Sequence, residues 1–273
     1  MLHQSEAIVL RTYPMQESDL LVTLFTRNEG KIKGVAKAAK RSKRRFGGAL
    51  EPLTIVRAQY EHKPRQELAR FDAFEIIESP LTHRIDYSYA AALAYIAEVL
   101  DQLLPEHDPN DDVFRLAAAV LHQLAAGSIW MPLTYFDLWI TRLMGILPEL
   151  TSCIVCGTNL TGRTEKNISG TEKNIPAIEK NSSGIEKNGS GRAYYHALAD
   201  GLMCIEHKRL ASSEMTNESR LLAAEMFRSP VDSFTQTPWP RARAADLRKF
   251  LIQSIERHIE KKLVTAVALG KLD

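Results

Sequence analysis

What the chain lacks narrows it first. Three cysteines in 273 residues are too few for a disulfide scaffold. No apolar run approaches the roughly 18 residues a spanning helix needs, which argues against a membrane protein. The opening residues, MLHQSEAIVLRTYPMQESD, have no basic n-region, and the apolar stretch 7–10 is too short for a signal peptide. The expectation is a cytoplasmic protein in a compartment where thiols stay reduced. Also missing are the GxxxxGK(S/T), GxGxxG and HExxH motifs and a nucleophile elbow with triad partners. The barrel-region acids Glu17, Asp19, Glu29 and Glu51 are scattered, without the clustering a two-metal nuclease needs. The expectation is that the protein is not an enzyme.

What is present is a globular composition, 45 % apolar and 25 % charged, so the chain is not disordered throughout. The formal charge of +2 hides a strong segregation. Residues 1–80 are net +4, residues 81–150 net −6 and residues 151–273 net +4. A polyanion would meet the first and last segments before the middle one.

Residues 1–80 read as β. Short runs rich in β-formers lie at 7–10, 20–25, 31–33, 54–61 and 68–77, separated by glycine and polar turns. In the fourth run Val56, Ala58 and Tyr60 alternate with Arg57, Gln59 and Glu61. Five short strands at this spacing suggest a small barrel of the OB type, with an SH3-like barrel or open meander as alternatives. After Pro80 the period becomes helical, over 89–100, 113–126 and 133–147. An amphipathic helix is expected over 214–228, and one long basic helix from Arg241 to about Ala268, both packing back on the bundle. The acids of residues 81–150 either face solvent or keep DNA away and hold protein partners.

Residues 164–191 hold four seven-residue units, each containing Glu-Lys-Asn. A period of seven invites a coiled coil, but glycine or proline recurs in every unit and the apolar positions make no seam. The stretch reads as a disordered tether. Cys153-Ile-Val-Cys156 is a CxxC knuckle, and Cys204-Ile-Glu-His207 a CxxH. Between Cys156 and Cys204 lie 47 residues; without the 28 of the repeat, 19 remain, within the range for a zinc ribbon. Cys153, Cys156, Cys204 and His207 are therefore a candidate structural zinc site, with Zn2+ as the expected cofactor. A redox pair of Cys153 and Cys156, or a catalytic zinc, are the competing readings. His196 reads as a strand residue rather than a ligand.

The most concentrated charge lies at 31–45, which holds Lys31, Lys33, Lys37, Lys40, Arg41, Lys43, Arg44 and Arg45 and no acid. The run follows the third strand and so falls at the barrel rim, where phosphates are the expected partner. Phe46 or Tyr60 could stack a base, core packing being the alternative.

The sequence thus predicts an α+β multidomain chain. An OB-like β-barrel (1–80) is followed by a helical bundle (81–150). A zinc-ribbon-like module (151–210) carries the disordered repeat insertion at 164–191, and C-terminal helices (211–273) complete the chain. Glu6-Ala-Ile-Val-Leu10, the step Glu17-Ser-Asp-Leu20, Gly30-Lys-Ile-Lys-Gly-Val-Ala-Lys37 with the basic patch after it, and Leu50-Glu51-Pro52 resemble the bacterial recombination and repair protein O (RecO) family. The pattern Cys153/Cys156 with Gly201-Leu-Met-Cys204 is similar to that family's zinc module. The resemblance covers nearly the whole chain except 164–191. It implies a non-enzymatic, nucleoid-associated recombination mediator. Such a protein binds single- and double-stranded DNA and anneals complementary strands. With RecR it helps load RecA onto DNA coated by SSB, whose acidic C-terminal tail it contacts. Two departures stand out. Ala38-Ala39-Lys40 replaces the family's usual Gly-Arg step, and His207 replaces a fourth cysteine. From the residues alone, a zinc-ribbon, OB-type RNA-binding protein of transcription or translation is the alternative.

Overall fold

A computed structural model describes residues 2–62, 66–83, 85–125, 127–161 and 192–272. The repeat at 164–191 lies outside the described residues. Two compact units emerge, one of residues 1–147 with 223–273, the other of residues 148–222.

The first unit begins with five strands: β1 (Leu2–Pro14), β2 (Leu20–Thr26), β3 (Gly30–Ala36), β4 (Ile55–Glu61) and β5 (Ala69–Glu78). They close into a barrel in the order β1-β2-β3-β5-β4, with β4 returning to β1. This is an OB-like barrel. β1 serves two neighbours because it is long: Ala7 to Pro14 pair with β2, and Leu2 to Ile8 with β4. A bulge between Val9 and Arg11 allows the bend. Alternation decides what points inward. Val56, Ala58 and Tyr60 of β4 are buried with Val22, Leu24, Ile32, Ala36 and Phe71, while Arg57 and Gln59 stay outside.

Short helix α1 (Lys43–Phe46) lies between β3 and β4, and three longer helices follow the barrel: α2 (Tyr87–Leu103), α3 (Asp111–Leu124) and α4 (Trp130–Leu143). Asp86 accepts from Tyr89 N and caps α2; Asn110 accepts from Val113 N and caps α3. α4 ends at Leu143, short of the expected 147. Gly145 takes φ 70°, and a Schellman pair closes the helix there, Gly145 N to Arg142 O and Ile146 N to Thr141 O.

The second unit carries the two-stranded sheet of β6 (Ala193–Tyr195) and β7 (Ser213–Met215), and β7 leads into α5 (Asn217–Met226). The expected long C-terminal helix is instead two, α6 (Ala245–His258) and α7 (Val264–Leu269). The break has a local cause. Glu260 adopts φ 54°, and Glu98 of α2 accepts from Val264 N at 3.0 Å and Thr265 N at 2.8 Å, starting a new helix. α6 packs on α4, and α7 on α2.

This helical core holds two charges that a helical pattern does not reveal. Arg248 of α6 is buried, its guanidinium 5.0 Å from the Trp130 ring centroid and bonded to Thr134 Oγ1 at 2.9 Å and Arg243 O at 2.7 Å. Asp137 of α4 is 1 % exposed and accepts from Tyr95 Oη at 2.9 Å. Burial raises the Asp137 carboxyl to about 7, although the Tyr95 hydrogen bond and Arg248 oppose the shift. A carboxyl whose folded pKa exceeds its unfolded one takes up a proton on folding. Stability should therefore fall as pH rises from about 4 to about 7 and level off above. Asp137→Asn should remove this limb, read by denaturant titration across pH.

Candidate nucleic-acid interface and metal centre

The basic run is a folded segment rather than a loose loop. Ala38 takes φ 53°, and its N–H donates to Asp19 Oδ1 at 2.8 Å, turning the chain out of β3. Residues 39–41 make a single 3-10 turn, and α1 follows it. Ala39 and Phe46 anchor the two ends in the barrel core. Phe46 is 2 % exposed and meets the Phe74 ring edge-on at 5.4 Å. It is therefore a core residue, which corrects its placement among the base-stacking candidates; Tyr60 is fully buried too. Only Gly makes the left-handed turn at position 38 without penalty, so Ala38 carries strain. Ala38→Gly should stabilise the protein by about 0.5–1 kcal/mol, raising the thermal midpoint.

Lys37 just before these anchors and Lys40, Arg41, Lys43 and Arg44 between them are exposed. Their contacts are weak: Lys40 Nζ reaches Gln16 O at 3.4 Å, and Arg41 approaches Glu17 at 3.9 Å with both side chains largely in solvent. Arg45 is half-buried and braces the segment, donating to Lys37 O at 2.6 Å and Ser42 Oγ at 3.1 Å while lying over the Phe46 ring.

The first two cations of the run belong elsewhere. Lys31 is 8 % exposed and donates to Asp101 O at 2.6 Å. Burial lowers its pKa, with Asp101 and Glu106 working against the shift. Lys33 pairs with Glu106 at 2.5 Å, and Arg27 with Asp111 at 2.5 Å. Arg11 of β1 takes the Asp101 carboxylate at 2.9 Å. The sequence places Lys31 and Lys33 on the open rim and the bundle's acids on a surface facing solvent or protein partners. The structure joins the two sets, so Asp101, Glu106 and Asp111 are a seam between bundle and barrel rather than a free acidic surface.

In the second unit two tight turns present the ligand atoms. Cys153 N bonds Thr158 O at 2.9 Å, and Gly157, at φ 70°, returns its N–H to Cys153 O at 2.8 Å. His207 N bonds Cys204 O at 3.1 Å in the partner turn. Backbone bonds from Ile154 N to Leu202 O at 2.8 Å and between Tyr194 and Met203 hold the turns together. The thiols of Cys153, Cys156 and Cys204 and an imidazole nitrogen of His207 lie within 4.8 Å of one another. Cys156 and Cys204 Sγ are 3.8 Å apart, and Cys153 Sγ is 4.0 Å from His207 Nδ1. Sulfurs about 3.8 Å apart are what a tetrahedral ion with ~2.3 Å bonds requires. Burial disfavours the Cys153 thiolate, but N–H groups of Cys156, Cys204 and Val155 point at it and bring its pKa down to about 6. The cluster can bind a metal ion through four protein ligands, leaving no position for substrate.

Fold and sites together define an OB-barrel protein with a fused helical domain and a Cys3His module. Comparison with known proteins is specific. Residues 1–80 match the family "Recombination protein O N terminal" and residues 84–173 "Recombination protein O C terminal". The chain is 57 % identical over 273 residues to the DNA repair protein RecO of Koribacter versatilis, covering all of both chains. It is 36 % identical over 151 residues to that of Anaeromyxobacter sp. strain K, spanning 55 % of this chain and 59 % of that one. With the RecO of Geobacter metallireducens it shares 36 % over 167 residues, 60 % of this chain and 66 % of the relative. The chain belongs to the RecO family of DNA repair proteins. Among the described residues no helix is long and apolar enough to cross a membrane.

Proposed function

We propose that the protein is a recombination mediator that works by binding rather than by chemistry. Lys37, Lys40, Arg41, Lys43 and Arg44 neutralise the phosphates of single- and double-stranded DNA, which lowers the repulsion between complementary strands and lets them anneal. With RecR it helps RecA load onto single strands coated by SSB, holding the acidic SSB tail, and it acts in the cytoplasm at the nucleoid. Zn2+ is the metal that suits three thiolates and an imidazole, and it serves to hold the two turns of the second unit together. The observation that carries the reading is the exposed cation set, displayed on a segment pinned at Ala39 and Phe46.

The test is annealing of complementary DNA oligonucleotides, naked and SSB-coated, without ATP. Annealing that weakens steeply with salt is expected. Preference for RNA with no annealing of DNA would favour an RNA-binding protein instead, and magnesium-dependent cleavage would make it a nuclease.

A further inference from the structure

We propose that the outer face of β3 carries a second stretch of nucleic-acid surface, screened by Glu106 acting as a stand-in phosphate. This deepens the reading of the barrel as DNA-binding and rests on it. OB barrels commonly receive oligonucleotides on the face of their second and third strands. Here the β2 half of that face is buried at Thr23 and Phe25, and the β3 half is cationic. Side chains two residues apart share one side of a strand, so Lys31, Lys33 and Val35 face outward with Lys37, one residue beyond the strand. The row leads from the bundle seam to the basic rim. Lys33 and Lys37 lie about 13 Å apart at ~3.3 Å per residue.

The segment after α2 covers the start of this row. β3 pairs with β5 only through Gly34 to Ala36, so the edge at 30–33 is free to take another chain. Glu106 bridges to Lys31 there, and His107 N bonds Lys31 O at 3.0 Å. The approach is tight: a Cβ on Gly30 would meet the Asp108 backbone at 2.4 Å. The inner seam is structural, because Lys31 is buried and Phe25 packs on Phe114 with centroids 5.8 Å apart.

The outer seam differs. Lys33 and Glu106 pair at 2.5 Å with side chains 45 % and 50 % exposed. Such pairs contribute little to stability. A DNA phosphate can replace the Glu106 carboxylate on Lys33 while the buried contacts stay closed. The displaced carboxylate then faces the strand and repels it, so Glu106 limits affinity at this position and favours strands that already hold the rim.

The test is binding of a fluorescent single-stranded oligonucleotide across a salt series to wild type, Glu106→Gln, Lys33→Ala and the double variant, with melting temperatures as a folding control. Glu106→Gln should tighten binding by about three- to tenfold at low salt and steepen the salt slope by ~0.7, the share of one more phosphate contact. Lys33→Ala should abolish that gain in the double variant. Unchanged affinity and slope in a folded Glu106→Gln protein would overturn the inference. So would a gain that survives Lys33→Ala. Either failure leaves the rim reading standing, which is lost only if removing the rim cations leaves DNA binding intact.

Discussion

Replacing Lys40, Arg41, Lys43 and Arg44 together by alanine should weaken single-stranded DNA binding by about 100-fold or more at low salt. The same variant should flatten the dependence of log affinity on log salt by about 3, because each neutralised phosphate contributes ~0.7 on a single strand. The four side chains are exposed and their contacts weak, so their removal leaves the fold alone. What positions them is left untouched: Asp19 on the Ala38 N–H, Ala39 and Phe46 in the core, and Arg45 across to Lys37 O. Thermal unfolding of the variant should match wild type within a few degrees. Annealing of complementary strands should fall in parallel with affinity, since both depend on the neutralised charge.

The second large effect lies in the other unit. On the proposed zinc reading, Cys153→Ser should take bound zinc from one per chain to near none, and the knuckle turns should open with it. Cys153 is 2 % exposed, and its thiol is the one into which three backbone N–H groups point. Structural zinc in small modules contributes about 10–16 kcal/mol of apparent binding energy, most of which appears as folding energy. The sheet of β6 and β7 has three residues in each strand, too little to hold the unit alone. Hydrogen exchange should accelerate at Ile154, Tyr194 and Met203, whose N–H groups join the turns. Exchange in the barrel strands should stay at wild-type rates. A chelator should reproduce the pattern in the unaltered protein.

Local signals were legible in the sequence, and contacts across long separations were not. The strands of the barrel showed because alternation, as in Val56, Ala58 and Tyr60, follows directly from the pleat. The Cys3His cluster showed because its spacing becomes ordinary once the heptad repeat is subtracted. The basic run, however, reads as one unit of eight charges, yet two of them, Lys31 and Lys33, answer to Asp101 and Glu106 some seventy residues away. Nothing local distinguishes Lys33 from Lys37. The acids of the bundle looked like a free surface for the same reason. Phe46 sits inside a charged stretch and looked available for a base, but the turn at Ala38 swings the segment so that this ring returns to the core. The C-terminal helix looked continuous because the capping carboxylate, Glu98, comes from α2. Asp137 and Arg248 read as surface charges on helices, and only the packing of α4 against α6 buries them.

The central claim is that the segment between Ala39 and Phe46 is where DNA meets the barrel. The most direct measurement is hydrogen exchange of the whole protein with and without a single-stranded oligonucleotide at low salt. Slowed exchange over residues 37–46, lost again when Lys40, Arg41, Lys43 and Arg44 are alanine, is the predicted result. Protection confined to the C-terminal helices or to the Cys3His unit, with residues 37–46 unchanged, would contradict it.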